Sequence, residues 1–267
     1  MKKKSSSSRE EKLEALGRLL DVLERLRVEC PWDAKQTNES LRPNTIEEVY
    51  ELSEAIINED HSEIAKELGD VLLHVLFYAK IGEEKGQFDL ADVCNREADK
   101  LIFRHPHIYG DVQVNNAHDV ELNWEQIKLK EKGGNKTVLA GVPKGLPSII
   151  KSYRVQEKVA NVGFDWAEKS DVWDKVYEEL GELRAEIEGN GDLAHKEGEM
   201  GDFLFSLINM GRLYGVDPDT SLERTNQKFI RRFNYIEASA KAEGKSLKEM
   251  TLGEMDALWN EAKRQEI

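Results

Sequence analysis

The stretch Glu178-Glu179-Leu180-Gly181-Glu182, followed by Glu199-Met200-Gly201-Asp202, decides how the rest of the chain is read. Residues three apart lie on one face of an α-helix. In a helix Glu179 and Glu182 therefore project together, and so do Glu199 and Asp202. Packing two such helices antiparallel makes four carboxylates converge, and like charges so placed repel, more strongly once desolvated. A divalent cation turns that repulsion into binding. An all-oxygen donor set favours Mg²⁺, with Mn²⁺ as the second candidate, over zinc. In a chain with 52 acidic residues a single ExxE reads as a solvated face. This ExxD pair instead abuts the apolar run Phe203-Leu204-Phe205-Ser206-Leu207-Ile208, where an unpaired acid is costly.

The arrangement also occurs twice, in the same order. Glu47-Glu48-Val49-Tyr50-Glu51 and Glu67-Leu68-Gly69-Asp70 precede a second apolar run, Val71 to Phe77. Further along, Asp99-Lys100-Leu101-Ile102-Phe103-Arg104 has its counterpart in Gln227-Lys228-Phe229-Ile230-Arg231-Arg232. A period of about 130 residues is too long for a solenoid and fits a duplicated module. Glu48, Glu51, Glu67 and Asp70 form a second, weaker candidate metal site. Taken alone, Glu48 also fits a capping box with Thr45.

Outward from these motifs the pattern is helical throughout. Leu13, Leu16, Leu19, Leu20, Leu23 and Leu26 mark a first amphipathic helix, and residues 30–43 read as a loop. Helices are expected over 45–59, 62–85, 90–104 and 118–132, then over 148–160, 171–188, 193–214, 219–243 and 251–265. Thr251 and Glu254 supply a capping box for the last. Gly133, Gly134, Gly141, Pro143, Gly145 and Pro147 crowd into one linker. The expected organisation is a disordered leader over 1–9, an N-terminal module over 10–132, a linker over 133–147 and a C-terminal module over 148–267. With 34% charged and 39% hydrophobic residues, amphipathic helices with charged outer faces suit the composition.

A net charge of −14 leaves no broad basic face for a nucleic acid. The longest apolar run, Val71 to Ala79, is far short of the ~20 residues of a membrane-spanning helix. Cys30 and Cys94 form no CxxC pair, which fits a reducing, cytoplasmic compartment. Met1-Lys2-Lys3-Lys4 lacks the apolar stretch of a signal peptide. Lys175, Lys228, Arg231 and Arg232 are the candidate phosphate contacts, since a polyphosphate needs cations beside a carboxylate-held metal. Trp259 either stacks on a base or fills the core. His105-Pro106-His107 lacks further ligands and reads as a turn, and no GxxxxGK[ST] phosphate loop occurs.

EExxE followed by ExxD, present twice, resembles the MazG-like all-α nucleoside triphosphate pyrophosphohydrolases. The tandem layout, Cys30-Pro31-Trp32-Asp33 and Arg104-His105-Pro106-His107 strengthen the resemblance, which runs from about Leu13 to the C-terminus. It implies an all-α fold of two tandem MazG-like helical-bundle modules, resembling a four-helix bundle on assembly. It further implies Mg²⁺-dependent hydrolysis of nucleoside triphosphates to monophosphate and pyrophosphate with broad base tolerance, a homodimer, and a catalytically dominant C-terminal module. Carried onto this chain, Glu179, Glu182, Glu199 and Asp202 would hold the metal. Lys175, Lys228, Arg231 and Arg232 would bind phosphates, and Trp259 would lie near the nucleotide. Glu178 is a candidate for orienting or deprotonating the attacking water. A specialist dUTP- or phosphoribosyl-ATP-type pyrophosphatase and a non-enzymatic acidic interaction module are the competing readings. Dominance of the C-terminal half also has a charge argument. The position of Lys175 is taken by Asn44 in the first half, and that of Arg231 by Phe103.

Overall fold

The computed structural model describes residues 6–114, 116, 120, 127, 137–189 and 191–265. Among these every regular element is helical, and the chain divides into two compact units, Met1–Gln113 and Val114–Ile267. The 118–132 helix expectation falls almost entirely outside the described residues, as do residues 133–136 of the expected linker.

In the first unit, α1 spans Arg9–Glu29, α2 Asn38–Ile57, α3 His61–Glu84, α4 Leu90–Arg104 and α5 Pro106–Tyr109. Ser8 caps α1 through a reciprocal box with Glu11, so Ser8 and Arg9 belong to the helix and not to the leader. The loop expected over 30–43 ends early. Thr37 accepts from the Ser40 backbone N–H and starts α2 at Asn38, which carries Pro43 in its second turn. Thr45 consequently lies inside the helix and cannot cap it with Glu48. Its hydroxyl bonds the Leu41 carbonyl, and it meets His74 Nδ1 and the Tyr78 hydroxyl instead. Asn58, Glu59 and Asp60 turn the chain, and α3 returns along α2 as an antiparallel hairpin. Leu23 of α1, Leu41 of α2 and Leu76, Phe77 and Ile81 of α3 form the core of this unit.

In the second unit, α6 spans Ser148–Ala160, α7 Val172–Glu188, α8 Leu193–Leu213, α9 Pro218–Ala242 and α10 Leu252–Arg264. Asp192 caps α8, Asp217 caps α9 with Pro218 in its first turn, and the Thr251–Glu254 box caps α10 as the spacing predicts. The helices α7 and α8 form the second acid-bearing hairpin. α6 packs on α8, and α10 packs on α9. Val172, Val176 and Leu183 of α7 and Ile208 of α8 are buried, and Glu179 lies in the same buried stripe of α7. No helix among the described residues is long and apolar enough to cross a membrane.

Candidate active site

Each hairpin gathers three carboxylates. Oxygens of Glu48, Glu67 and Asp70 lie within 4.8 Å of one another, and so do oxygens of Glu179, Glu199 and Asp202. The register between helices makes the selection. Glu51 and Glu182 share a helix face with Glu48 and Glu179 but stay exposed, outside the converging triples. They remain close enough to act electrostatically. Burial, then Glu182, Asp202 and Glu179, push the Glu199 carboxyl above its ordinary value. Burial, then Asp70, Glu51 and Glu67, do the same to Glu48.

One acid in each triple is nearly inaccessible: Glu67 is 3% exposed and Glu179 is 6% exposed. Each is held on one side by an ammonium group. Lys66 Nζ lies 2.7 Å from Glu67 Oε1, and Lys175 Nζ lies 2.6 Å from Glu179 Oε1. The other oxygen of each, Oε2, is buried without a hydrogen-bond partner among the described residues. A bare buried carboxylate oxygen is a large uncompensated cost. Two further carboxylates beside it deepen the cost unless a cation sits among them. The donor sets are oxygen alone, which fits a hard divalent ion.

The two triples differ in their surroundings. Beside Glu179 and Asp202 a cavity of about 650 Å³ opens, with Lys175 also in its wall. Val155, Gln156 and Val159 of α6 line another side, and Phe205, Ser206 and Asn209 of α8 a third. The turn Gly163-Phe164-Asp165-Trp166 closes it. Gly163 sits at φ +91°, a conformation that any side chain would strain, and this swings the turn back over the helices. Asp165 then accepts two bonds from Arg212 of α8, at 3.0 and 2.5 Å, which fix the turn in place. In the first hairpin Thr45, His74 and Tyr78 are joined instead by contacts of 2.7 and 2.6 Å through the Thr45 hydroxyl. Burial lowers the His74 pKa, with the Asp70 charge opposing it.

The remaining expected site residues are distributed differently. Glu178 is exposed and shares Lys175 with Glu179, at 2.9 Å. Lys228, Arg231 and Arg232 lie on α9 and Trp259 on α10, and none of them lines the cavity. The Arg232 guanidinium stands 5.4 Å from the centre of the Trp259 ring, so the indole backs a cation rather than filling the core. Spacing along single helices did not reveal Gln156, the Gly163–Trp166 turn, Asn209 or Arg212. A signal was available: Trp32-Asp33 and Asp165-Trp166 each stand shortly before an acid-bearing helix.

Residues 36–109 match the family model of the MazG nucleotide pyrophosphohydrolase domain. A nucleoside triphosphate pyrophosphohydrolase of Escherichia coli K12 is 40% identical over 258 residues, covering 94% of this chain and 98% of that protein. The chain belongs to the MazG family. A nucleoside triphosphate pyrophosphohydrolase/pyrophosphatase MazG of Thermotoga maritima is also 40% identical, over 92% of this chain and 94% of its own length. An uncharacterized protein of Bacillus subtilis, YabN, is 46% identical over 89% of this chain, which spans 49% of that protein. The segment matching the MazG domain contains the first acid hairpin, with Glu48, Glu67 and Asp70.

Proposed function

We propose that this MazG chain hydrolyses nucleoside triphosphates to nucleoside monophosphate and pyrophosphate, with broad base tolerance, at the α7–α8 hairpin. The observation that carries this reading is the buried, unpartnered Glu179 Oε2 beside Glu199 and Asp202, in a cavity wall shared with Lys175. Glu179, Glu199 and Asp202 would hold Mg²⁺, or Mn²⁺ in its place, with Glu182 as a further ligand. Bound there, such an ion would polarise phosphate oxygens and lower the pKa of water.

Lys175 contributes a permanent positive charge. Its bonds to Glu179 and Glu178 raise its pKa above the ordinary lysine value, so it stays protonated at any physiological pH and can pair with a phosphate oxygen. Glu178 holds the same ammonium from the solvent side and is assigned the orientation of the attacking water. Lys228, Arg231 and Arg232 supply further cations for the polyphosphate, with Trp259 behind Arg232. The first hairpin is assigned a second, weaker metal site at Glu48, Glu67 and Asp70, with Glu51 beside it. The assembly is assigned as a homodimer, and the compartment as the cytoplasm, which suits two free cysteines.

The test is pyrophosphate release from ATP and the four deoxynucleoside triphosphates with Mg²⁺, with Mn²⁺, and with a chelator. Metal-dependent release of one pyrophosphate per triphosphate supports the reading. Purified protein that releases none from any of them overturns it.

A further inference from the structure

The cavity beside Glu179 holds polar atoms that the phosphate chemistry does not use. Gln156 is 4% exposed, and its amide is fixed in one orientation because Nε2 donates to the Phe205 carbonyl at 2.8 Å. Its Oε1 is therefore a committed acceptor, and it is buried with no partner among the described residues. Asn209 is fixed in the opposite sense. Its Oδ1 accepts from Arg212 Nε at 3.1 Å and from Arg212 Nη2 at 2.9 Å, which leaves its NH₂ as the group able to donate. Around these two amides the wall is apolar or aromatic: Val155, Val159, Phe164, Trp166 and Phe205. Of the other polar side chains of the wall, Ser206 is already engaged with the Phe203 carbonyl and Asp165 with Arg212. That leaves one acceptor and one donor in a largely apolar slot next to carboxylates suited to a metal–phosphate group.

A nucleobase has that complement: flat apolar faces and an edge on which an N–H adjoins a ring nitrogen or a carbonyl oxygen. We propose that this cavity takes the base of the triphosphate, and that Gln156 accepts a hydrogen bond from the base N–H while Asn209 donates to the neighbouring acceptor. Adenine and cytosine meet the pair with an exocyclic amine and a ring nitrogen; guanine and uracil meet it with a ring N–H and a carbonyl. One donor–acceptor pair therefore admits every ordinary base, and what it rejects is a base without an N–H on that edge. The assignment rests on the triphosphate reading above and deepens it. Gln156 is a specificity-determining residue, since it touches the substrate far from the bond that breaks.

The experiment compares ATP with purine riboside triphosphate, which lacks the exocyclic amine, on the wild type and on Gln156→Met. A site that leaves a buried acceptor unpaired discriminates by about 10–100-fold. The wild type should show that loss in kcat/KM with the analogue, mainly through KM. Gln156→Met should erase the discrimination, lowering the ATP value and not lowering that of the analogue, since the acceptor that the analogue leaves unpaired is gone. Equal kcat/KM for the two substrates on the wild type overturns the proposal, as does discrimination retained in Gln156→Met. Should that variant fail to fold by circular dichroism, the wild-type pair of substrates decides alone. Calorimetric titration of the wild type with AMP and with purine riboside monophosphate reads the base slot without turnover. Preferential binding of AMP alongside absent pyrophosphate release would leave the base slot standing and remove the hydrolysis. Turnover with equal binding of both would do the reverse.

Discussion

Asp202 and Asp70 occupy matching places on their hairpins, yet their neighbours give them different tasks. Asp202 faces a cavity with room for a nucleotide, whereas Asp70 lies near a bonded cluster of Thr45, His74 and Tyr78. The aligned residues in the second hairpin are Val176, Ser206 and Met210, which form no such cluster. Asp202→Asn should reduce Mg²⁺-dependent pyrophosphate release by about 100-fold or more, since charge stabilisation at the reacting group is lost. Asp70→Asn should reduce it by less than about fivefold if its hairpin is not the main catalytic one. The reverse order would show that the first hairpin carries the activity. Metal-free Asp202→Asn should unfold no earlier than wild type, because a repulsion on Glu199 is relieved. The acids themselves were legible in the sequence, because i, i+3 spacing fixes a helix face. Which three of four converge was not, because it depends on register between helices. The charge contrast drawn from Asn44 needs amending as well, since Lys66 brings an ammonium to Glu67 from α3.

Helix boundaries were read well where a local signal exists. The 90–104 and 148–160 helices coincide with α4 and α6, and the Thr251 box starts α10. The signal failed at residues 38–43, where the broken apolar periodicity reads as a loop although the segment, Pro43 included, is helical. A proline so near a helix start forfeits little, and Thr37 had already capped the chain. The Gly163–Trp166 turn carries only the Asp165-Trp166 pair as a local signal, and its role depends on Arg212, distant in sequence. A comparable long-range clamp ties α1 to α3. Arg27 donates two bonds of 2.9 Å to Glu84 and a further bond to the Asp33 carbonyl, joining two helix ends and a turn. Arg27 holds the Glu84 carboxyl below its ordinary value of 4.5. A depressed carboxyl pKa stabilises the fold above the unfolded value, and that contribution disappears as pH falls through the folded value. Glu84→Gln should therefore be less stable than wild type at pH 7, and the gap should close below about pH 4. Solvent reaches 38% of the Glu84 side chain, so the gap at pH 7 should be no more than about 1 kcal/mol. Thermal melts of both proteins across pH 3–7 check it, and a gap that widens in acid would contradict the assignment.

At the scale of the whole molecule, each acid hairpin carries large apolar side chains that are exposed. On α3, Leu68, Leu72 and Val75 follow one another at helical spacing and are all exposed. On α7, Trp173, Tyr177, Leu180 and Ile187 form the same kind of stripe, with Tyr177 66% exposed. Scattered apolar residues on a surface are ordinary, but stripes of this length on a chain of net charge −14 mark a contact surface. A two-helix hairpin closes its apolar face most simply against its own copy, which turns two helices into four around one core. Such an interface is self-complementary, so one substitution enters it twice. At micromolar concentration the chain of 30.5 kDa should scatter light with twice that mass. Placing a charge in both stripes, Leu72→Glu with Leu180→Glu, should shift the mass toward that of the single chain while helicity by circular dichroism is retained. Neither residue is among the converging carboxylates, so lost assembly can be separated from lost metal binding. A wild-type mass of one chain throughout that range would mean that the stripes serve some other contact and that the dimer does not form.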